Sequence, residues 1–185
     1  MYIRNEASEI CVENLRHNGF MKRLLLPLLA ALALPSSALA RYYSEVDLMT
    51  DETIHRVSIK SSTTTSNSIG MQEEAIIRIK CKIKEGRITE RIAYIATPTY
   101  NSDNIRVGLR WDGGTPSSER WDESTSGTAL FSPNASSFVS DLALSDSLVF
   151  QWQPYSTTAR AVKFELDKFH DDLEKLSEVG CFVFE

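Results

Sequence analysis

The groups in this 185-residue chain best able to do chemistry are its histidines, its cysteines and a set of charged and aromatic side chains between Arg106 and Tyr155. It contains no H-E-x-x-H pair, no G-x-S-x-G elbow and no glycine-rich phosphate loop. His55 and His170 lie in the part that reads as folded. Either can act as a base for a nucleophile only if folding brings a Ser, Thr or Cys within hydrogen-bond reach. His170 and Glu174 are four apart on an expected helix and could touch a metal. A solvated helix face explains them better, together with Asp171 and Asp172. Two cysteines and two distant histidines lack the spacing of a zinc site. The expectation is a non-enzymatic protein with no catalytic residue, no metal and no cofactor.

Binding chemistry has more candidates. Arg110 and Asp112 are two residues apart in "NIRVGLRWD", so on a strand they share its outward face with Arg106. Such a row can grip a carboxylate or phosphate through guanidinium hydrogen bonds. It can equally be a ladder of surface ion pairs, each worth about 0–1 kcal/mol. Trp121 falls in "DGGTPSSERWDESTSG" (112–127), which reads as a long loop with at most one short strand near that tryptophan. A loop Trp either anchors its loop over the core or meets a partner. Tyr155 follows Pro154 at an expected strand end. Arg106, Arg110, Asp112, Trp121 and Tyr155 are therefore the candidate binding residues.

Where such a site works is indicated by residues 21–40, "MKRLLLPLLAALALPSSALA". Lys22 and Arg23 precede an apolar run, and Ala38-Leu39-Ala40 places small side chains at an A-x-A cleavage site before Arg41. This is the pattern of a secretory signal peptide. Residues 1–20 are polar and read as an upstream extension, with the start at Met21. The expected product is one domain, residues 41–185, in the periplasm or secreted, with no stable membrane insertion after cleavage. It has 16 basic and 22 acidic residues. That balance lacks the basic footprint of a general nucleic-acid binder. Cys11 leaves with the leader, so Cys81 and Cys181 form an even pair in an oxidising compartment, and a disulfide between them is predicted.

The elements that must position these groups are mostly strands. Apolar residues alternate in "AIIRIKCKI" (Ile77, Ile79, Cys81, Ile83), in "NIRVGLRWD" (Ile105, Val107, Leu109, Trp111), in "SLVFQWQ" (Leu148, Phe150, Trp152) and in "ARAVKFEL" (Val162, Phe164, Leu166). "HRVSIKS" and "RITERIAYIA" are also strand-like, and Ala129 to Phe131 forms a short strand. "SSTTTSNS" (61–68) reads as a polar connection, and residues 132–146 as holding a helical turn or two around Phe138, Leu142 and Leu144. Phe169, Leu173 and Leu176 then follow helical spacing, with Asp171 and Lys175 as a favourable pair, Asp167 as N-cap and Gly180 just past the end. The fold class is all-β, a mainly antiparallel sandwich or barrel of seven to nine short strands with one C-terminal amphipathic helix.

The order of landmarks carries a further indication. It runs from the strand with Cys81, through Arg110-Trp111-Asp112, Trp121, "ALFSP" (129–133), Phe138 and Leu142, Pro154-Tyr155 and "KFEL" (163–166), to a short helix and Cys181. This series resembles the VasI-like family of exported bacterial proteins, found near type VI secretion loci and in phage-derived regions. The likeness covers residues 43–184 and departs at Tyr42 and Tyr43, where a tryptophan is expected. It implies an accessory protein of the envelope, and the family has no established catalytic activity to carry over. Three functions follow as expectations. The first is a module that docks on an envelope or secreted protein. The second is a carrier or sensor of a small or envelope-derived ligand, which needs a closed pocket. The third is an unrecognised hydrolase.

Overall fold

The computed structural model describes residues 41–102, 105–155 and 157–184. The leader, Cys11 and the cleavage triplet with Ala38 and Ala40 lie outside the described residues. Backbone pairing joins nine strands among them: β1 (Arg41–Asp47), β2 (Glu52–Ser66), β3 (Gln72–Lys84), β4 (Arg87–Ala96), β5 (Ile105–Trp111), β6 (Ser117–Glu123), β7 (Ala129–Phe131), β8 (Ser147–Trp152) and β9 (Arg160–Glu165). Helix α1 (Ala135–Leu144) lies between β7 and β8, and a 3₁₀ turn (Asp167–Phe169) leads into helix α2 (His170–Glu178).

The strands form a single sheet in the order β1-β2-β3-β4-β7-β6-β5-β8-β9. Every pairing is antiparallel. β3 and β4 are joined by Glu85 and Gly86, both at positive φ (49° and 72°), a two-residue turn whose twist matches that of the strands. The sheet curls until β9 lies against the far half of β2. There the Ser62 hydroxyl donates to the Lys163 carbonyl (3.0 Å), and the Lys163 N–H donates to the Thr63 hydroxyl (2.8 Å).

The apolar phases share one core. Val57, Ile59, Ile77, Ile79, Ala93 and Ile95 come from one half of the sheet, and Val107, Leu109, Phe150, Trp152, Val162 and Phe164 from the other. α1 adds Phe138, Val139 and Leu142, and α2 adds Leu173 and Leu176. The Cys81–Cys181 disulfide is present, with Cα atoms 5.9 Å apart. α2 stops in a Schellman arrangement: the Gly180 N–H bonds the Ser177 carbonyl and the Cys181 N–H the Leu176 carbonyl. Gly180 has φ +77°, which a side chain would resist. The turn delivers Cys181 to Cys81 on β3.

Several expectations are corrected. Residues 61–66 are not a connection but the end of β2, where Ser61 and Thr65 are buried among polar neighbours. Trp121 is not on a loop; it lies within β6. Trp111 is half-buried rather than fully in the core. Leu144 is exposed at the end of α1. Asp167 opens the 3₁₀ turn and caps nothing with its side chain. Lys175 pairs with Asp172 (2.6 Å) rather than Asp171, because Asp172 is the acid turned inward.

Candidate anion-binding cleft

The sequence-predicted binding residues are not gathered into one site. Trp121 is wholly buried. Its ring packs edge-on to Phe138 and against Phe150, and its indole N–H donates to Glu119 Oε2 at 3.0 Å. It can anchor the fold but cannot meet a partner. Arg110 spends its guanidinium on the carbonyls of Gly114 (Nε, 2.9 Å) and Gly113 (Nη2, 2.8 Å). Asp112 is not on the outward face of β5. It sits in the following turn at φ +48°, and its Oδ1 accepts the N–H groups of Asp146 (2.9 Å) and Ser147 (2.8 Å). Both residues close the β5–β6 turn onto the start of β8. Arg106 reaches only the Ser118 hydroxyl at 3.4 Å. Tyr155 is exposed at the other end of β5's neighbours, its N–H bonded to the Tyr100 carbonyl.

The histidines are engaged locally. His55 is buried on β2, opposite Cys81 across β2–β3, and its Nδ1 shares a hydrogen bond with the Tyr42 hydroxyl at 2.8 Å. Burial holds its imidazole below the ordinary value. His170 Nε2 donates to the Ser145 carbonyl at 2.9 Å and so ties the start of α2 to the end of α1. Neither has a Ser, Thr or Cys side chain as a hydrogen-bond partner among the described residues. No group of three or more His, Cys, Asp or Glu that could hold a metal occurs among them.

A concave site appears instead on the outer face of β1–β4. It follows from register. Antiparallel partners share a face, so the outward side chains fall into rows across the four strands. One row is Tyr43, Arg56, Lys80 and Ile92; the next is Arg41, Ser58, Arg78 and Tyr94. Ser58 is short between two long arginines, and the depression over it is a cleft of about 410 Å³. Tyr43 and Tyr94 stand on opposite sides of it, and Tyr94 is braced by Phe131 at 5.0 Å between ring centroids. Strand spacing puts the Cα atoms of Arg41 and Arg78 roughly 10 Å apart, so both guanidiniums can reach one bound group.

The electrostatics of this face are uneven. Arg56 is neutralised by Glu45 at 2.7 Å, and Lys80 by Glu90 at 2.7 Å. Lys82 also meets Glu90 (3.5 Å) and Glu52 (3.6 Å). The Lys80 hydrogen bond is the main reason the Glu90 carboxyl is held below its ordinary value. Arg41 and Arg78 have no carboxylate partner among the described residues. The floor of the cleft is thus flanked by two cations with no carboxylate partner among the described residues, in a chain whose overall balance is acidic. Sequence reasoning missed it because Arg41, Ser58 and Arg78 are brought together only by the register of three strands. The available signal was the run of cations in the polar phase of β2 and β3.

No family model, curated protein or solved structure matches this chain.

Proposed function

We propose that this protein is a non-enzymatic binding module of the bacterial envelope. It docks on a larger envelope or secreted component by capturing an anionic group in the cleft over Ser58. The observation that carries this reading is the pair Arg41 and Arg78, without a carboxylate partner among the described residues, on either side of a short hydroxyl residue and walled by two tyrosines. An opposite charge brought to two such guanidiniums gains charge-assisted hydrogen bonds that water-exposed ion pairs elsewhere on the sheet already use up.

Other features support the same reading. The Cys81–Cys181 disulfide suits an oxidising compartment, as does the signal-peptide pattern. No helix among the described residues is long and apolar enough to cross a membrane. The cleft lies on an outer sheet face, while the space between the strands is filled by Trp121, Phe150 and Trp152. An outer cleft favours docking over enclosure of a free small ligand. Membership of the VasI-like family is part of the proposal and rests on the ordered landmarks alone; a role beside type VI secretion applies only where the genome holds such a locus.

The test is binding of the full chain to a panel of anions at low salt: an acidic peptide, a sulfated sugar and a phosphorylated sugar. Arg41→Gln combined with Arg78→Gln is the comparison. Binding of at least one probe that the double variant loses is expected. Equal behaviour of the two proteins toward every probe overturns the reading.

A further inference from the structure

We infer that the anion this cleft takes is a phosphate monoester carried on a sugar. The inference rests on the reading of the cleft as an anion site and narrows it by counting donors, charges and walls.

Donors come first. A carboxylate has two oxygens, and a single guanidinium fork satisfies them both. Here two guanidiniums approach from strands two apart, and the Ser58 hydroxyl lies between them. Neither guanidinium nor this hydroxyl has a hydrogen-bond partner among the described residues, whereas the Arg106 guanidinium has one and that of Arg110 two. Three separate donor groups lining one cleft suit a group with three terminal oxygens rather than two.

Charge points the same way. Arg56 and Lys80 also line the cleft but are matched by Glu45 and Glu90. Among the described side chains that line the cleft, the surplus is two positive charges. A phosphate monoester carries about −1.5 to −2 at pH 7, which balances them; a carboxylate or a sulfate ester leaves one cation unmatched.

The walls indicate what bears the phosphate. Tyr43 is half exposed, and Tyr94 and Ile92 continue the lining on the far side. Such rings offer flat apolar faces with polar tips, the surface against which the C–H face of a sugar packs. The Tyr43 hydroxyl donates to Glu45 Oε2 at 3.2 Å, which holds the ring in place. The cleft opens on an exposed sheet face, so the sugar can belong to a larger glycan.

The test uses the full chain and four probes: glucose 6-phosphate, glucose 6-sulfate, glucuronate and glucose. Affinities are read by calorimetry across pH. Glucose 6-phosphate is expected to bind at least about tenfold more tightly than the sulfate or the carboxylate. Its affinity should rise as pH passes about 6, where the phosphate takes its second charge, while that of the sulfate stays flat. Arg78→Gln should cost about tenfold and Ser58→Ala severalfold, with unchanged thermal midpoints because both side chains face outward. Sulfate or glucuronate binding as tightly as phosphate, through Arg78, removes the phosphate assignment and leaves the anion site standing. Phosphate affinity unchanged in both variants overturns the inference outright. Binding of no anion at all removes the inference and the reading beneath it together.

Discussion

Trp121 of β6 stands edge-on to Phe138 of α1, with ring centroids 5.1 Å apart and planes at 88°. This contact pins α1 to the sheet, and the indole bond to Glu119 on the same strand fixes the ring. Removing a buried indole leaves a large cavity, so Trp121→Ala is expected to destabilise the protein by about 3–5 kcal/mol. Trp121→Phe should recover a good part of that. Urea unfolding measures both. A Trp121→Ala protein with wild-type stability contradicts the packing described. Loss of a partner in that variant reports unfolding and says nothing of a docking surface.

The Cys81–Cys181 bond closes a loop of 100 residues and fastens the exit of α2 to β3. The stabilisation expected for cross-links of this kind is about 2–5 kcal/mol. Reduction, or Cys81→Ala with Cys181→Ala, should lower the urea midpoint accordingly, and the double variant should no longer respond to reductant. An unchanged midpoint on complete reduction, verified by mass after alkylation, goes against this.

The contrast between these two sites shows what was legible in the sequence. β3, β5, β8 and β9 each bury one face, so their apolar residues alternate and both the strand and its inner face can be read. Cys81 falls in the inward phase, and Gly180 marks the helix stop that brings Cys181 to it. β6 has no such signal. Trp121 is its one wholly buried residue, between exposed Arg120 and Asp122, and a single apolar side chain defines no period. The end of β2 fails for the opposite reason: Ser61 and Thr65 are buried but polar, and hydropathy does not register them. Arg110 and Asp112 were assigned a shared outward face by period two. The positive φ at Asp112 ends the strand one residue too soon for that. The cleft lies a step further away, since it depends on which outward residues face each other across three pairings.

His55 makes stability depend on pH near neutrality. Burial lowers its folded pKa below the ordinary 6.5. Between those two values the unfolded chain binds more protons, so stability rises with pH across the interval. The contribution is fully present above about pH 6.5 and is lost as pH falls toward the folded value. Glu90 and Asp47 are also lowered, but from 4.5 and 3.8, so they act in a more acid range. The thermal midpoint should therefore fall between about pH 7.5 and pH 5.5, and His55→Gln should flatten that slope. An identical slope in the variant assigns the dependence elsewhere.

Asp112 should prove to be a structural residue rather than a binding one. Its carboxylate accepts two N–H groups at the start of β8, and its backbone is in the left-handed region. Alanine loses the acceptor and resists the backbone angle, so Asp112→Ala is expected to cost about 1–3 kcal/mol. Asparagine keeps a side-chain carbonyl and tolerates φ > 0, so Asp112→Asn should lie within about 0.5 kcal/mol of wild type. Glycine relieves the backbone but supplies no acceptor and should fall between them. Chemical denaturation ranks the three. Anion affinity, measured while each variant is folded, should be the same in all, because Asp112 lies on the β5–β8 side and the cleft on β1–β4. A variant that keeps its stability but loses anion binding would return Asp112 to the binding site.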